Sequence, residues 1–220
     1  TGNGSIAALS VASTAGLVAY RAGVPDRRHL TWFDRAGTSL GNLGPVEDTL
    51  RHVRLSPDGK RVVVGRLVDA NLDLWLYDGA RTTRFTFDPA NDSFPVWSPD
   101  GARIAFNSQR TGTSDLFLRQ TNGAGSDEPL VNSGQTKVVF SWSPDGRFLF
   151  YSSYDPKTNA DLWVVPMAGD RTPSVILRTP FRETQPMISP DGQWLAYLSD
   201  QSGRNEIYVR PFVAPGATAA

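Results

Sequence analysis

No cysteine occurs in the 220 residues, and only two histidines, two methionines and three lysines do. The missing thiols exclude disulfides, thiol catalysis and thiolate metal sites together. They assign no redox compartment, because cysteine-free chains suit both kinds. His29 and His52 leave little imidazole, and no set of His and carboxylates recurs at metal-ligand spacing, so no metal site is expected. An excess of one charge is missing too, with 22 basic against 22 acidic residues. A partner gripped through counterion release, whether nucleic acid or anionic lipid, is therefore not expected. There is no apolar run of about 18 residues that could span a bilayer, so no membrane insertion is expected of this segment. No glycine-rich loop leads into a helical pattern, and no cofactor is expected. The chain opens on Thr1 and ends on a low-information tail, 213–220, which reads as a piece of a longer polypeptide.

What is present is a repeat. Ser-Pro-Asp-Gly occurs four times: Ser56, Pro57, Asp58, Gly59; Ser98, Pro99, Asp100, Gly101; Ser143, Pro144, Asp145, Gly146; and Ser189, Pro190, Asp191, Gly192. The steps are 42, 45 and 46 residues, and one step back lies a decayed copy, Ser13-Thr14-Ala15-Gly16. One tetrapeptide is weak evidence, but four at near-constant spacing mark a repeat architecture. A short apolar run precedes each turn and a second strand pattern follows it. A third begins seventeen or eighteen residues past each serine, opened by an acid (Asp73, Asp115, Asp161, Glu206) and carrying an aromatic (Trp32, Trp75, Phe117, Trp163, Tyr208). A weaker fourth follows in four units. These runs are β-branched or aromatic, with turn residues between them and no helical period, so the chain reads as all β.

The tetrapeptide has a mechanism. Proline presets φ, aspartate suits the second central position, and glycine accepts the positive φ that closes a hairpin. The four aspartates are read as turn formers, the turn itself as structural. Four-stranded units of 40–45 residues are the signature of a β-propeller, each unit one blade. The expected blades are 5–44, 48–88, 92–132, 136–178 and 183–212, forming a single domain over 1–220. The last lacks its fourth strand. Residues 206–212 are then an edge strand open to self-association, and six or seven blades are expected in the natural protein.

The pattern Val96-Trp97-Ser98-Pro99-Asp100-Gly101 followed by Ile104-Ala105-Phe106, with Asp115-Leu116-Phe117 or Asp161-Leu162-Trp163 downstream, resembles the TolB-type Pro-Asp propeller repeat, a distant cousin of the WD repeat. The likeness covers about residues 5–212. It is weakest in the first copy, where Leu30 stands in the acid's place. Proteins of this type include periplasmic TolB, extracytoplasmic segments of bacterial serine/threonine kinases, and gating propellers of prolyl-oligopeptidase-like peptidases. The stretch 17–37 looks most like the kinase-attached group. The resemblance implies a bacterial, periplasmic or extracytoplasmic setting and a scaffold with no transferable active-site residue.

Other motifs yield to bland readings. Gly37-Thr38-Ser39-Leu40-Gly41 matches a hydrolase string, but no helix follows and His52 is only thirteen residues on, so a hairpin turn is expected and no catalytic residue. The acidic loops 155–161 and 200–206 do not fit an EF-hand. The sequons at Asn3 and Asn91 matter only in a eukaryotic secretory pathway. A protein or peptide partner is expected instead, held on loops at one end of the ring. Connections between blades supply Glu47, Asp48, Arg51, Asp92, Gln135, Arg182 and Glu183. Loops between second and third strands supply Arg27, Asn71, Arg110, Asp155, Lys157 and Arg204. The alternatives are the gating propeller of a serine peptidase whose catalytic domain lies outside this chain, and a free TolB-like interaction protein.

Overall fold

A computed structural model of the chain describes residues 9–12, 17–22, 28–47, 49–79 and 81–216. They form antiparallel sheets that follow one another along the chain, with each strand beside its sequence neighbour. Blade one holds β1 (Leu9–Ala12), β2 (Leu17–Ala22), β3 (Arg28–Phe33) and β4 (Ser39–Glu47). Blade two holds β5 (Leu50–Leu55), β6 (Arg61–Val68), β7 (Asn71–Asp78) and β8 (Arg81–Arg84). Blade three holds β9 (Asp92–Trp97), β10 (Arg103–Ser108), β11 (Asp115–Gln120) and β12 (Glu128–Val131). Blade four holds β13 (Lys137–Trp142), β14 (Phe148–Asp155), β15 (Asn159–Pro166) and β16 (Ser174–Leu177). The fifth sheet has three strands, β17 (Glu183–Ile188), β18 (Trp194–Ser199) and β19 (Glu206–Pro211). The protein is all β, with the four-stranded blades of a propeller. Among the described residues the outer edge of β19 pairs with no strand.

The tetrapeptide turn repeats atom for atom. Ser56, Ser98 and Ser143 each donate their hydroxyl to the aspartate two residues on, at 2.5–2.6 Å, and Ser189 does the same to Asp191. The serine oxygen in turn accepts the N–H five residues ahead, at 2.9 Å in all four copies. The glycines take φ between 67° and 76°, a region that costs other residues. The decayed copy at 13–16 lies outside the described residues.

Side chains alternate between two faces, and the core lies between blades. Val63, Leu74 and Leu76 of blade two share a cluster with Trp97, Ile104, Phe106 and Phe117 of blade three. Ala105, Leu116 and Leu118 of blade three do so with Trp142, Leu149, Tyr151 and Val165 of blade four. Phe148, Phe150, Leu162 and Val164 of blade four meet Ile188, Leu195 and Tyr197 of blade five. Each large side chain so buried contributes about 1.5–3 kcal/mol. In blade five the corresponding positions, Trp194, Ile207 and Val209, are 47%, 76% and 61% exposed.

Two features depart from the sequence reading. Each inner strand from β5 on carries an irregularity shortly before the turn, where the register shifts. In three of them a non-glycine residue four before the serine has positive φ: His52 (50°), Phe94 (49°) and Gln185 (56°). The alignment of the first blade also slips. The third-strand aromatic faces the residue eight past the serine in blades two to five, but Trp32 faces Ala19, six past Ser13. Leu30 therefore takes the aromatic's place there and not the acid's.

Candidate functional site

Hydrogen bonds tie three blade connections to neighbouring second and third strands. Asn91, between blades two and three, accepts the Leu72 N–H at 2.8 Å. Gln135 donates to Asp155 at 2.9 Å and accepts from Ser153 at 3.1 Å. The Arg182 N–H reaches Asp200 at 2.9 Å. Each bond joins a blade connection to the end of a second strand, the start of a third or the loop between them, and these segments make up the rim.

The rim residues then divide. Arg51, Lys157 and Arg204 are exposed, while Gln135, Arg182, Asn71 and Asp155 are half-buried. Arg110 is a hub at 2.7 Å from Asp127 and 3.3 Å from Asp92, with its guanidinium 4.4 Å over the Phe117 ring. Asp48 and Arg27 lie outside the described residues. Asp92 and Glu183 are a correction: both open inner strands and are wholly buried, so neither meets a partner at the surface. Glu47 is turned inward as well, at 2.5 Å from Arg66 and 3.2 Å from the Tyr77 hydroxyl.

Burial shapes the titration of this end. It raises Asp92 to about 6 against the hydroxyls of Ser108 and Thr86 and the charge of Arg110. Burial, reinforced by Arg54 and Arg51, lowers His52 to about 4. The imidazole stacks on Phe94, with ring centres 4.0 Å apart, and is neutral at pH 7. Of the third-strand acids, Asp115, Asp161 and Glu206 accept hydroxyls and Asp73 accepts the Asn71 amide, and each of the four also takes a cation: Arg84 on Asp73 (2.7 Å), Lys137 on Asp115 (2.6 Å), Arg178 on Asp161 (3.1 Å) and Arg204 on Glu206 (2.6 Å). Several arginines also lie over the repeated aromatics: Arg66 over Trp75, Arg178 over Trp163, Arg61 over Trp97 and Arg103 over Trp142. The preference for arginine over lysine thus has a structural use, since a planar guanidinium can stack and bond at once.

Ser39 begins β4 after a turn capped by the Asp34 carboxylate on the Thr38 N–H at 2.8 Å, so the hydrolase string is a hairpin connection. Among the described residues no three His, Asp or Glu side chains converge as metal ligands, and no helix is long and apolar enough to cross a membrane. The rim offers a mixed-charge, hydrogen-bonding surface suited to recognition.

Residues 49–160 match the family model described as the TolB beta propeller domain. The Tricorn protease homolog 1 of Streptomyces coelicolor is 31% identical over 108 residues, 48% of this chain and 10% of that protein. The dipeptidyl-peptidase 5 of Porphyromonas gingivalis is 34% identical over 87 residues, 36% of this chain and 13% of that protein. The chain thus spans a small part of these curated relatives. In structure it is similar to TolB from Acinetobacter baumannii, with a TM-score of 0.79 at 20% identity, covering 93% of this chain and 51% of that one. It is also similar to a putative TolB from Agrobacterium tumefaciens, with a TM-score of 0.74 at 16% identity, covering 93% and 76%. At these identities the structural likeness concerns the fold.

Proposed function

The chain belongs to the TolB beta propeller domain family, and from that premise we propose that it is a non-catalytic scaffold binding a protein or peptide through its rim. The observation that carries this reading is the set of hydrogen bonds between blade connections and neighbouring strand ends, which braces the segments carrying the exposed Lys157 and Arg204. The Ser and Asp of the repeated turn, by contrast, bond to one another within each blade. Balanced charge and buried rim acids favour a protein partner over nucleic acid. The setting proposed is bacterial and extracytoplasmic, as the sensory part of a membrane-tethered kinase or as a free periplasmic interaction protein.

A second reading is favoured by the likeness to two peptidases: a gating propeller whose catalytic domain lies elsewhere. One experiment addresses both. A photo-crosslinking residue is placed at Lys157 or Arg204 of the full-length protein, with Lys60 at the turn end as control. A defined crosslinked protein from the rim sites alone supports the scaffold. Equal crosslinking at Lys60, or peptide hydrolysis by the full-length protein that a serine-directed inhibitor stops, overturns it.

A further inference from the structure

The residue six before the turn serine opens each inner strand from blade three on, and it is Asp92, Lys137 and Glu183 in blades three to five. Where blades three and four meet, this residue answers the acid of the preceding third strand. Lys137 Nζ lies 2.6 Å from Asp115 Oδ1 and 2.7 Å from the Gln135 carbonyl, with both charged side chains 1% exposed.

One junction later the two positions are Asp161 and Glu183, both fully buried and both acidic. Burial raises the Glu183 pKa, and the Asp161 and Asp200 charges nearby add to the effect. Half of each carboxylate is engaged. Asp161 Oδ2 accepts the Thr158 hydroxyl at 2.7 Å and Arg178 Nε at 3.1 Å, and Glu183 Oε1 accepts the Thr179 hydroxyl. The other halves, Asp161 Oδ1 and Glu183 Oε2, have no hydrogen-bond partner, and neither do the buried hydroxyls of Ser152 and Thr184. Buried polar groups are normally satisfied, and buried charges are paired or hold a metal. Arg178, the cation paired with Asp161, is 47% exposed, so water screens it. Where blades two and three meet, Asp73 likewise has Arg84 on Oδ2 and no partner for Oδ1, but Asp92, in the place of Glu183, has the Arg110 guanidinium at 3.3 Å.

We propose that the junction of blades four and five binds a hard cation between Asp161 Oδ1 and Glu183 Oε2, answering there the charge that Lys137 answers one junction earlier. Two free carboxylate oxygens are hard donors, which suit calcium and not the nitrogen and sulfur preference of zinc. The site is internal, and the proposal is independent of what the rim binds.

The test uses the full chain in chelator-stripped buffer at fixed ionic strength. Calcium chloride is titrated by calorimetry and by thermal unfolding into the wild type, Glu183→Gln and Glu183→Lys. The wild type is expected to bind one calcium per chain, with a saturable rise in Tm. E183Q should bind at least tenfold more weakly. E183K, which recreates the Asp115–Lys137 arrangement, should bind none and unfold in stripped buffer at or above the temperature of the stripped wild type. If E183K fails to fold, Asp161→Asn replaces it, with the same loss expected. No calcium response from the wild type overturns the proposal, as does undiminished binding by the variants. A wild type stabilised only by acidification overturns it too, since a proton on Glu183 then answers the charge.

Discussion

His52 and Asp92 show how a single buried residue ties stability to pH. The His52 imidazole is held neutral down to about pH 4, whereas the unfolded chain takes up that proton near 6.5. Its contribution is present above 6.5 and lost as pH falls through about 4. Asp92 runs the other way. Its folded pKa of about 6 exceeds the unfolded 3.8, so its contribution is full at low pH and lost as pH rises through about 6. Each shift spans about two units, or roughly 3 kcal/mol at most, and between pH 4 and 6 the two oppose each other. His52→Phe is expected to leave a protein that weakens as pH rises over this window. Asp92→Asn should leave one that strengthens. Urea unfolding at half-unit pH steps checks both slopes. Neither role was legible in the sequence, where Asp92 reads as a loop residue, because its burial is imposed by Arg110 and the blades packed beside it.

At the scale of the element, the same strand position has opposite worth in adjacent blades. Val164 in β15 is fully buried under blade five, and Val209 in β19 is 61% exposed. Val164→Lys buries a charge without a partner and should cost several kcal/mol. Val209→Lys should stay within about 0.5 kcal/mol in urea unfolding. A lysine there also blunts the edge of β19, so it should reduce any concentration-dependent association seen by sedimentation. The strands themselves were legible, because a four-residue turn with fixed chemistry sets where each hairpin begins. The inner-strand irregularities were not. His52, Phe94 and Gln185 adopt positive φ with side chains that ordinarily avoid it, and an alternating pattern carries no mark of the slip.

For the molecule as a whole, stability is a chain of junctions. A repeat protein gains it from each unit and from each nearest-neighbour interface. Blades three and four are covered on both faces, while blade five is covered on one. Amide exchange is therefore expected to be slowest in β10, β11, β14 and β15 and fastest in β19, with β17 and β18 between. Uniform protection across the five sheets would refute this ordering. The repeat was open to reading because it is periodic. The orientation of the rim acids was not, since Glu47, Asp92 and Glu183 point inward for reasons that three-dimensional neighbours decide.

The faces that meet at each junction run in one direction along the chain: in blades two to four, each covers itself with the blade made after it. During synthesis the emerging protein thus carries one uncovered apolar face at its growing tip, and the next blade hides it on arrival. The sticky surface shown to the cell stays about one blade wide however many blades precede it, so a longer ring asks no more of folding helpers at any moment than a short one.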